Sequence, residues 1–198
     1  DESKTRLLTT GGRLMNNSIR CGICWLVNNQ TANGSWLGVS PDYVEEPVQL
    51  TAYILISLAK AQNLTGTNRL YNCANLSLAI NRSVQYLKNS QNFDGCWGNY
   101  PRDNQSDPYP TAVVMYALAL AEENILQGYF QNATNCLINN KTSAGAQKHY
   151  WQRSYSTGGW YGHIAETTAY SIMALVKANV SVNDTNVSYA LKYILSNN

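Results

Sequence analysis

The chain has 198 residues, 44% of them hydrophobic, which is enough to bury a core and excludes disorder as the default. Only 13% are charged and the net charge is +2, so the basic field that nucleic-acid binding requires is missing. The longest apolar stretch, Val113 to Ala121, is about half of the roughly 20 residues that cross a bilayer, which argues against membrane insertion.

The polar start, residues 1–18, contains no apolar signal core and reads as an extension or linker that leads into a first helix. From Ile19 the chain repeats itself about every sixty residues. Its first unit opens on the helix-like segment Trp25 to Gln30, with Cys21-Gly-Ile-Cys24 just upstream. A lone C-x-x-C without a second pair or a histidine partner is a weak zinc or redox signal, and disulfides plus one unpaired thiol fit the five cysteines better. A turn Gln30-x3-Gly34-x-Trp36 follows, and then a loop carrying the compact acidic pair Glu45 and Glu46. That pair sits where negative charge favours a helix N-terminus, and it is also a candidate contact for a cationic partner. Leu50-Thr-Ala-Tyr to Ala59 is apolar nearly all round and predicts a helix buried on every side.

The second unit repeats the order. Leu76, Ile80, Val84 and Leu87 hold helical spacing with the charges turned away, which predicts an amphipathic outer helix. Gln91-x3-Gly95-x-Trp97 repeats the turn, and Pro110-Thr-Ala-Val to Ala119 repeats the apolar helix. The third turn is read at Gly158 and Trp160, ahead of Thr167-Thr-Ala-Tyr to Val176, and the chain ends on Tyr193 to Asn198, the segment that precedes a turn. The glycines supply the positive φ of the turns and the indoles pack on the adjoining hairpin, a structural role rather than ligand binding. Trp25 and Trp151 are read as core or interface residues. Alternating outer and inner helices predict an all-α fold, an α/α toroid of hairpins, incomplete here because fewer helices are legible than twelve-helix closure requires.

Twelve N-x-[ST] triplets stand at Asn16, Asn29, Asn33, Asn63, Asn75, Asn81, Asn104, Asn132, Asn140, Asn179, Asn183 and Asn186. With the cysteines they point to a secreted, extracellular glycoprotein. Asn104, Asn132 and Asn140 are expected to carry sugar more often than Asn75, which opens an amphipathic helix and is read as partly covered. His149 and His163 have no nucleophile in recognisable context and take structural roles, so neither catalytic residues nor a metal or cofactor is expected.

From Ile19 to Asn198 the chain resembles the thioester-containing domain of the α2-macroglobulin and complement superfamily, an α6/α6 toroid. The resemblance is carried by Cys21-Gly-Ile-Cys-Trp-Leu-Val with Asn33-Gly-Ser-Trp, Leu50-Thr-Ala-Tyr-Ile-Leu-Ile-Ser-Leu, Thr111-Ala-Val-Val-Met-Tyr-Ala-Leu-Ala and Glu166-Thr-Thr-Ala-Tyr-Ser-Ile-Met-Ala-Leu. It implies a partial domain over 19–198, without the thioester segment and the last hairpin. The family's GCGEQ motif does not occur, and the loop Gly38 to Glu46 holds no histidine of the kind that redirects the acyl group onto hydroxyls. The resemblance maps a disulfide onto Cys21 and Cys73, with Cys24 one turn away as a competitor. A second bond, Cys96 with Cys136, is a weaker expectation that leaves Cys24 free. The implied role is non-enzymatic: an innate-immunity or endopeptidase-inhibitor module whose partners are other domains of its parent protein and receptors, proteases or target surfaces.

Two other readings compete. The Q-x3-G-x-W strings also occur in terpenoid cyclases and prenyltransferases, but the acidic or zinc-binding cluster that those enzymes need is missing. A helical-repeat scaffold without an immune role keeps the same fold.

Overall fold

A computed structural model describes residues 17–39, 44–45, 47–65, 73–101, 105–153 and 164–196. The described fold is helical: α1 (17–28), α2 (Val48–Thr65), α3 (Leu76–Asn89), α4 (Pro108–Leu120), α5 (Gly128–Asn139), α6 (Ile164–Lys177) and α7 (Thr185–Ser196). Two short antiparallel hairpins interrupt it, β1 (Gly38–Val39) with β2 (Val44–Glu45) and β3 (Thr142–Ser143) with β4 (His149–Tyr150).

Helices α2, α4 and α6 form one layer in which α4 lies between the other two. An outer helix packs on each of them: α3 on α2, α5 on α4 and α7 on α6. The hydropathy of α4 explains its central place, since it buries every residue from Pro108 to Met115, then Ala117 and Leu118. Helix α3 buries Leu76, Ala79, Ile80, Ser83, Val84, Tyr86 and Leu87, one face at the three-and-four spacing, and leaves Asn81 and Arg82 exposed. The all-α, two-layer architecture is thus the one the repeat predicts.

The helix ends follow from local chemistry. Asp107 caps α4, its side chain accepting from the Tyr109 N–H at 2.9 Å, with Pro108 in the first turn where a missing N–H costs nothing. At their C-termini α4 and α6 close with the six-to-one bonds Glu123 N–H to Leu118 carbonyl and Val180 N–H to Leu175 carbonyl. The left-handed residue in those two turns is Glu122 or Asn179 rather than the usual glycine.

Two disulfides staple the outer layer. Cys24 is bonded to Cys73, Cα atoms 5.4 Å apart, tying α1 to the residue that leads into α3, and Cys96 is bonded to Cys136 of α5 at 5.8 Å. The first of these corrects the Cys21–Cys73 pairing, for Cys21 is a free, exposed thiol. The cause is helical phase: α1 buries Ile23 and turns Cys24, Leu26 and Val27 toward the core. Two residues from Ile23, Cys21 lies roughly 200° around the helix, on the opposite side.

Candidate functional site

The repeated turns are built by four residues acting together. In the first, the Trp36 indole N–H donates to the Leu26 carbonyl at 2.8 Å and its backbone N–H donates to Thr51 Oγ1. In the second, Trp97 donates to the Leu87 carbonyl at 2.7 Å and to Thr111 Oγ1 at 2.9 Å. Each tryptophan therefore pins the end of one outer helix to the threonine of the next inner helix, which explains why Thr-Ala recurs there. The glutamines add a second tie. The Gln30 side-chain amide donates to the carbonyls of Gly34 and Ala79, and that of Gln91 to the carbonyls of Gly95 and Tyr129, bridging each turn to the following outer helix.

The third turn departs from the sequence reading. Gly158 and Trp160 lie outside the described residues, and the same two contacts are made by Trp151. Its indole donates to the Leu137 carbonyl at 2.7 Å and its backbone N–H to Thr168 Oγ1 at 3.1 Å. The hairpin β3–β4 takes the place of the glycine turn before it. Trp151 is fully buried, as a core reading requires, whereas Trp25 is 63% exposed and is no core residue.

The N-terminal ends of α2, α4 and α6 converge on a polar, aromatic cluster that sequence reasoning missed. The Tyr53 and Tyr109 hydroxyls are hydrogen-bonded to each other, and Tyr109 also donates to Glu166 Oε1 at 2.5 Å. Tyr170 meets Tyr53, Tyr109 and Tyr116 edge to face, with ring centroids 5.7–6.4 Å apart. Arg153 lies over the Tyr109 ring, faces the buried Asp107 carboxylate at 3.7 Å and donates to Asn99 Oδ1 at 3.1 Å. Burial, first, and then the Glu166 and Tyr53 partners push the Tyr109 hydroxyl far above the ordinary phenol range. Burial likewise raises Tyr170. Both phenols stay protonated at neutral pH, so the cluster works as a set of fixed donors that joins three inner helices. The aromatic recurrence Tyr53, Tyr109 and Tyr170 beside the Thr-Ala pairs was the available signal.

The remaining predicted positions are dispersed. Glu45 lies in β2, opposite Gly38, and Glu46 is outside the described residues, as are Asn16, Asn104 and His163. Asn29, Asn33, Asn63, Asn75, Asn81, Asn132, Asn140, Asn179 and Asn183 are exposed, and Asn186 is half-buried with its amide on Asp184. Asn75 is therefore not covered: it stands ahead of α3 with φ 67°, outside the face that the helix buries. Asp94 lies close to the sulfurs of Cys96 and Cys136, but those sulfurs are spent in a disulfide and its carboxylate caps the Cys96 N–H at 2.9 Å, so the group does not fit a metal.

His149 is half-buried rather than solvent-facing. Its ring meets Tyr189 at 5.2 Å while Tyr150 stacks on Tyr193 at 4.9 Å, so β4 docks on α7 through two aromatic pairs. Burial, and secondarily the Lys141 charge, lower its pKa below the ordinary histidine value. Folding then favours the neutral ring, and its contribution is present above about pH 6.5, the unfolded value. That contribution is lost as the pH falls through 6.5 toward the folded value. Urea midpoints of the wild type are expected to drop more between pH 7.5 and 5 than those of His149→Asn; equal drops would remove His149 from the account.

The family model described as A-macroglobulin TED domain matches residues 11–196. A search of curated proteins returns no match.

Proposed function

The chain belongs to the A-macroglobulin TED domain family, and from that premise we propose that it forms the helical body of a secreted protein of the complement and α-macroglobulin type. The family match along nearly the whole chain carries this reading. In it, residues 19–198 are part of a larger toroid, with 1–18 as the approach to it, and the chain offers protein-binding faces to receptors, proteases or target surfaces and to other domains of its parent. The covalent chemistry of the family needs a GCGEQ motif, which these residues do not contain. The role assigned to them is therefore to hold shape and to bind.

The physical features support such a role. Two disulfides suit an oxidising compartment, and no described helix is long and apolar enough to cross a membrane. Indole and glutamine ties join successive hairpins, so strain at one end of the layer is passed along it rather than absorbed in loose loops. The acidic pair Glu45 and Glu46, ahead of α2, is assigned as a contact for a cationic partner.

The compartment is tested on the protein from its natural source by glycopeptide and thiol mapping. The expected result is N-glycan at several of Asn81, Asn132, Asn179 and Asn183, all exposed, with Cys96 and Cys136 unreactive toward alkylation. A protein recovered from the cytosol, without sugar and with every cysteine reduced, would overturn the secreted role.

A further inference from the structure

Phe93 stands in the second turn and is the most exposed of the large apolar side chains among the described residues. The turn does not need it. Its counterpart in the first turn, counted from Gln30, Gly34 and Trp36, is Ala32, and both turns close alike, the Gly34 N–H on the Thr31 carbonyl and the Gly95 N–H on the Asn92 carbonyl. A bare phenyl ring gains free energy from whatever apolar surface covers it.

The nearest candidate for that surface is on α5. A Cβ on Gly95 would lie 2.8 Å from Cβ of Asn132, and Phe93 is two residues from Gly95, within about 8 Å along a trans chain. Asn132 is exposed and opens the sequon Asn132-Ala-Thr134. The ties between turn and helix fall on either side of it: Gln91 donates to the Tyr129 carbonyl at 2.8 Å, three residues before, and Cys96 is bonded to Cys136, four residues after. Residues three and four apart share a helix face, so the turn is held along the face that carries Asn132. Inside the turn Asp94 Oδ1 accepts from the Cys96 N–H and from Ser106 Oγ, both at 2.9 Å, which fixes the loop before any partner arrives.

The first unit lacks both features together. Gly34 abuts Arg82 where Gly95 abuts Asn132, and Gln30 bonds to Ala79 where Gln91 bonds to Tyr129, so glycines and glutamines give the same offset between the units. That equivalence pairs Ala32 with Arg82 in one unit and Phe93 with Asn132 in the other. The sequon of α3, at Asn81, is one residue and about 100° of helix away from the contact.

We propose that Phe93 is a stacking platform for an N-glycan on Asn132, its ring covered by the apolar C–H face of the first N-acetylglucosamine. The proposal rests on the reading of the chain as part of a secreted glycoprotein. Axial C–H groups on one face of a pyranose carry the partial positive charge that the electron-rich face of an aromatic ring attracts. The contact lays the sugar along the seam between the second turn and α5 and removes the exposed ring from water.

The test uses the intact parent protein, secreted from eukaryotic cells and kept folded, with peptide N-glycosidase F as the probe. The enzyme leaves aspartate where it removes a glycan, so peptide mass spectrometry gives a release rate at each sequon. Phe93→Ala is expected to speed release at Asn132 by about two- to tenfold, the factor that an aromatic contact of ordinary strength gives, with rates at the other occupied sequons unchanged. Phe93→Trp should keep the wild-type rate, and Phe93→Leu, apolar but without a π face, should release as fast as the alanine variant. Equal rates at Asn132 in wild type and Phe93→Ala, or protection by leucine equal to that by phenylalanine, would overturn the inference. So would a bare Asn132 in a protein whose other sequons carry sugar, an outcome that leaves the secreted reading standing. A protein without sugar at any sequon would overturn that reading and this inference with it.

Discussion

Trp151→Ala is expected to lower the free energy of unfolding by about 3–5 kcal/mol, the range for emptying a large aromatic site in a core. Trp97→Ala should cost as much, since both side chains are fully buried and both indoles donate at 2.7 Å to an outer-helix carbonyl. Trp25→Ala should shift stability by no more than about 0.5 kcal/mol, the usual size of an effect at an exposed site. Trp151→Phe separates packing from polarity: it keeps most of the buried ring but removes the indole bond to the Leu137 carbonyl, which retains only the Asn140 N–H at 3.2 Å, a loss of about 0.5–1.5 kcal/mol. Urea unfolding followed by far-UV circular dichroism gives all four values. A Trp151→Ala protein as stable as Trp25→Ala would show that Trp151 is not the third anchor.

The second large effect falls on the glycines of the first two turns. Gly34 has φ +96°, and a Cβ placed there would lie 2.3 Å from the Arg82 carbonyl oxygen. At Gly95, φ +85°, a Cβ would lie 2.8–2.9 Å from Asn132 atoms, the backbone carbonyl among them. Both positions combine a left-handed conformation, costing about 1–2 kcal/mol with a side chain, with overpacking against a helix backbone, about 1–3 kcal/mol. Gly34→Ala and Gly95→Ala are therefore expected to destabilise by roughly 2–5 kcal/mol. Gly145 is the internal comparison, with φ +96° and open space around it, so Gly145→Ala should show only the conformational cost of about 1–2 kcal/mol. Equal losses at Gly34 and Gly145 would mean that close approach to α3 contributes nothing.

Much of this architecture was legible because the two helix types differ in hydropathy. The apolar run of α4 and the one-sided pattern of α3 sort themselves into inner and outer layers with no tertiary information. The first two turns were legible from glycine and tryptophan. The third was not, because a hairpin replaces the glycine there and a nearer Gly-Trp string, at Gly158 to Trp160, competes for attention. A better ruler was the distance from tryptophan to the threonine that receives its N–H, 15 residues in the first unit and 14 in the second. Trp151 stands 17 residues before Thr168, far closer to that spacing than Trp160.

The disulfide at α1 teaches a similar lesson. Counting cysteines and their resemblance to a family pattern left Cys21 and Cys24 in competition, and the phase of α1 relative to Ile23 decides between them. The tyrosine and glutamate cluster is hard to read from sequence for another reason. Its members come from three inner helices more than fifty residues apart, Tyr53 to Tyr109 and Tyr109 to Glu166, and nothing local marks them as partners. Asn75 shows the converse error: a position at the start of an amphipathic helix reads as partly covered, although the helix buries its other side and leaves Asn75 exposed.

On the proposed function, this chain serves a complement and macroglobulin type of protein by engaging proteins or surfaces outside the cell. The most direct measurement is to cleave the intact parent protein with limiting serine protease in the presence of a target cell surface, then to follow this chain by co-sedimentation with the surface and by immunoblot of native gels. The account predicts that a fraction of the chain moves from solution onto the surface or into a complex with the protease. A chain that stays wholly in solution and unaltered in partner, at every protease dose that cleaves the parent, would contradict it.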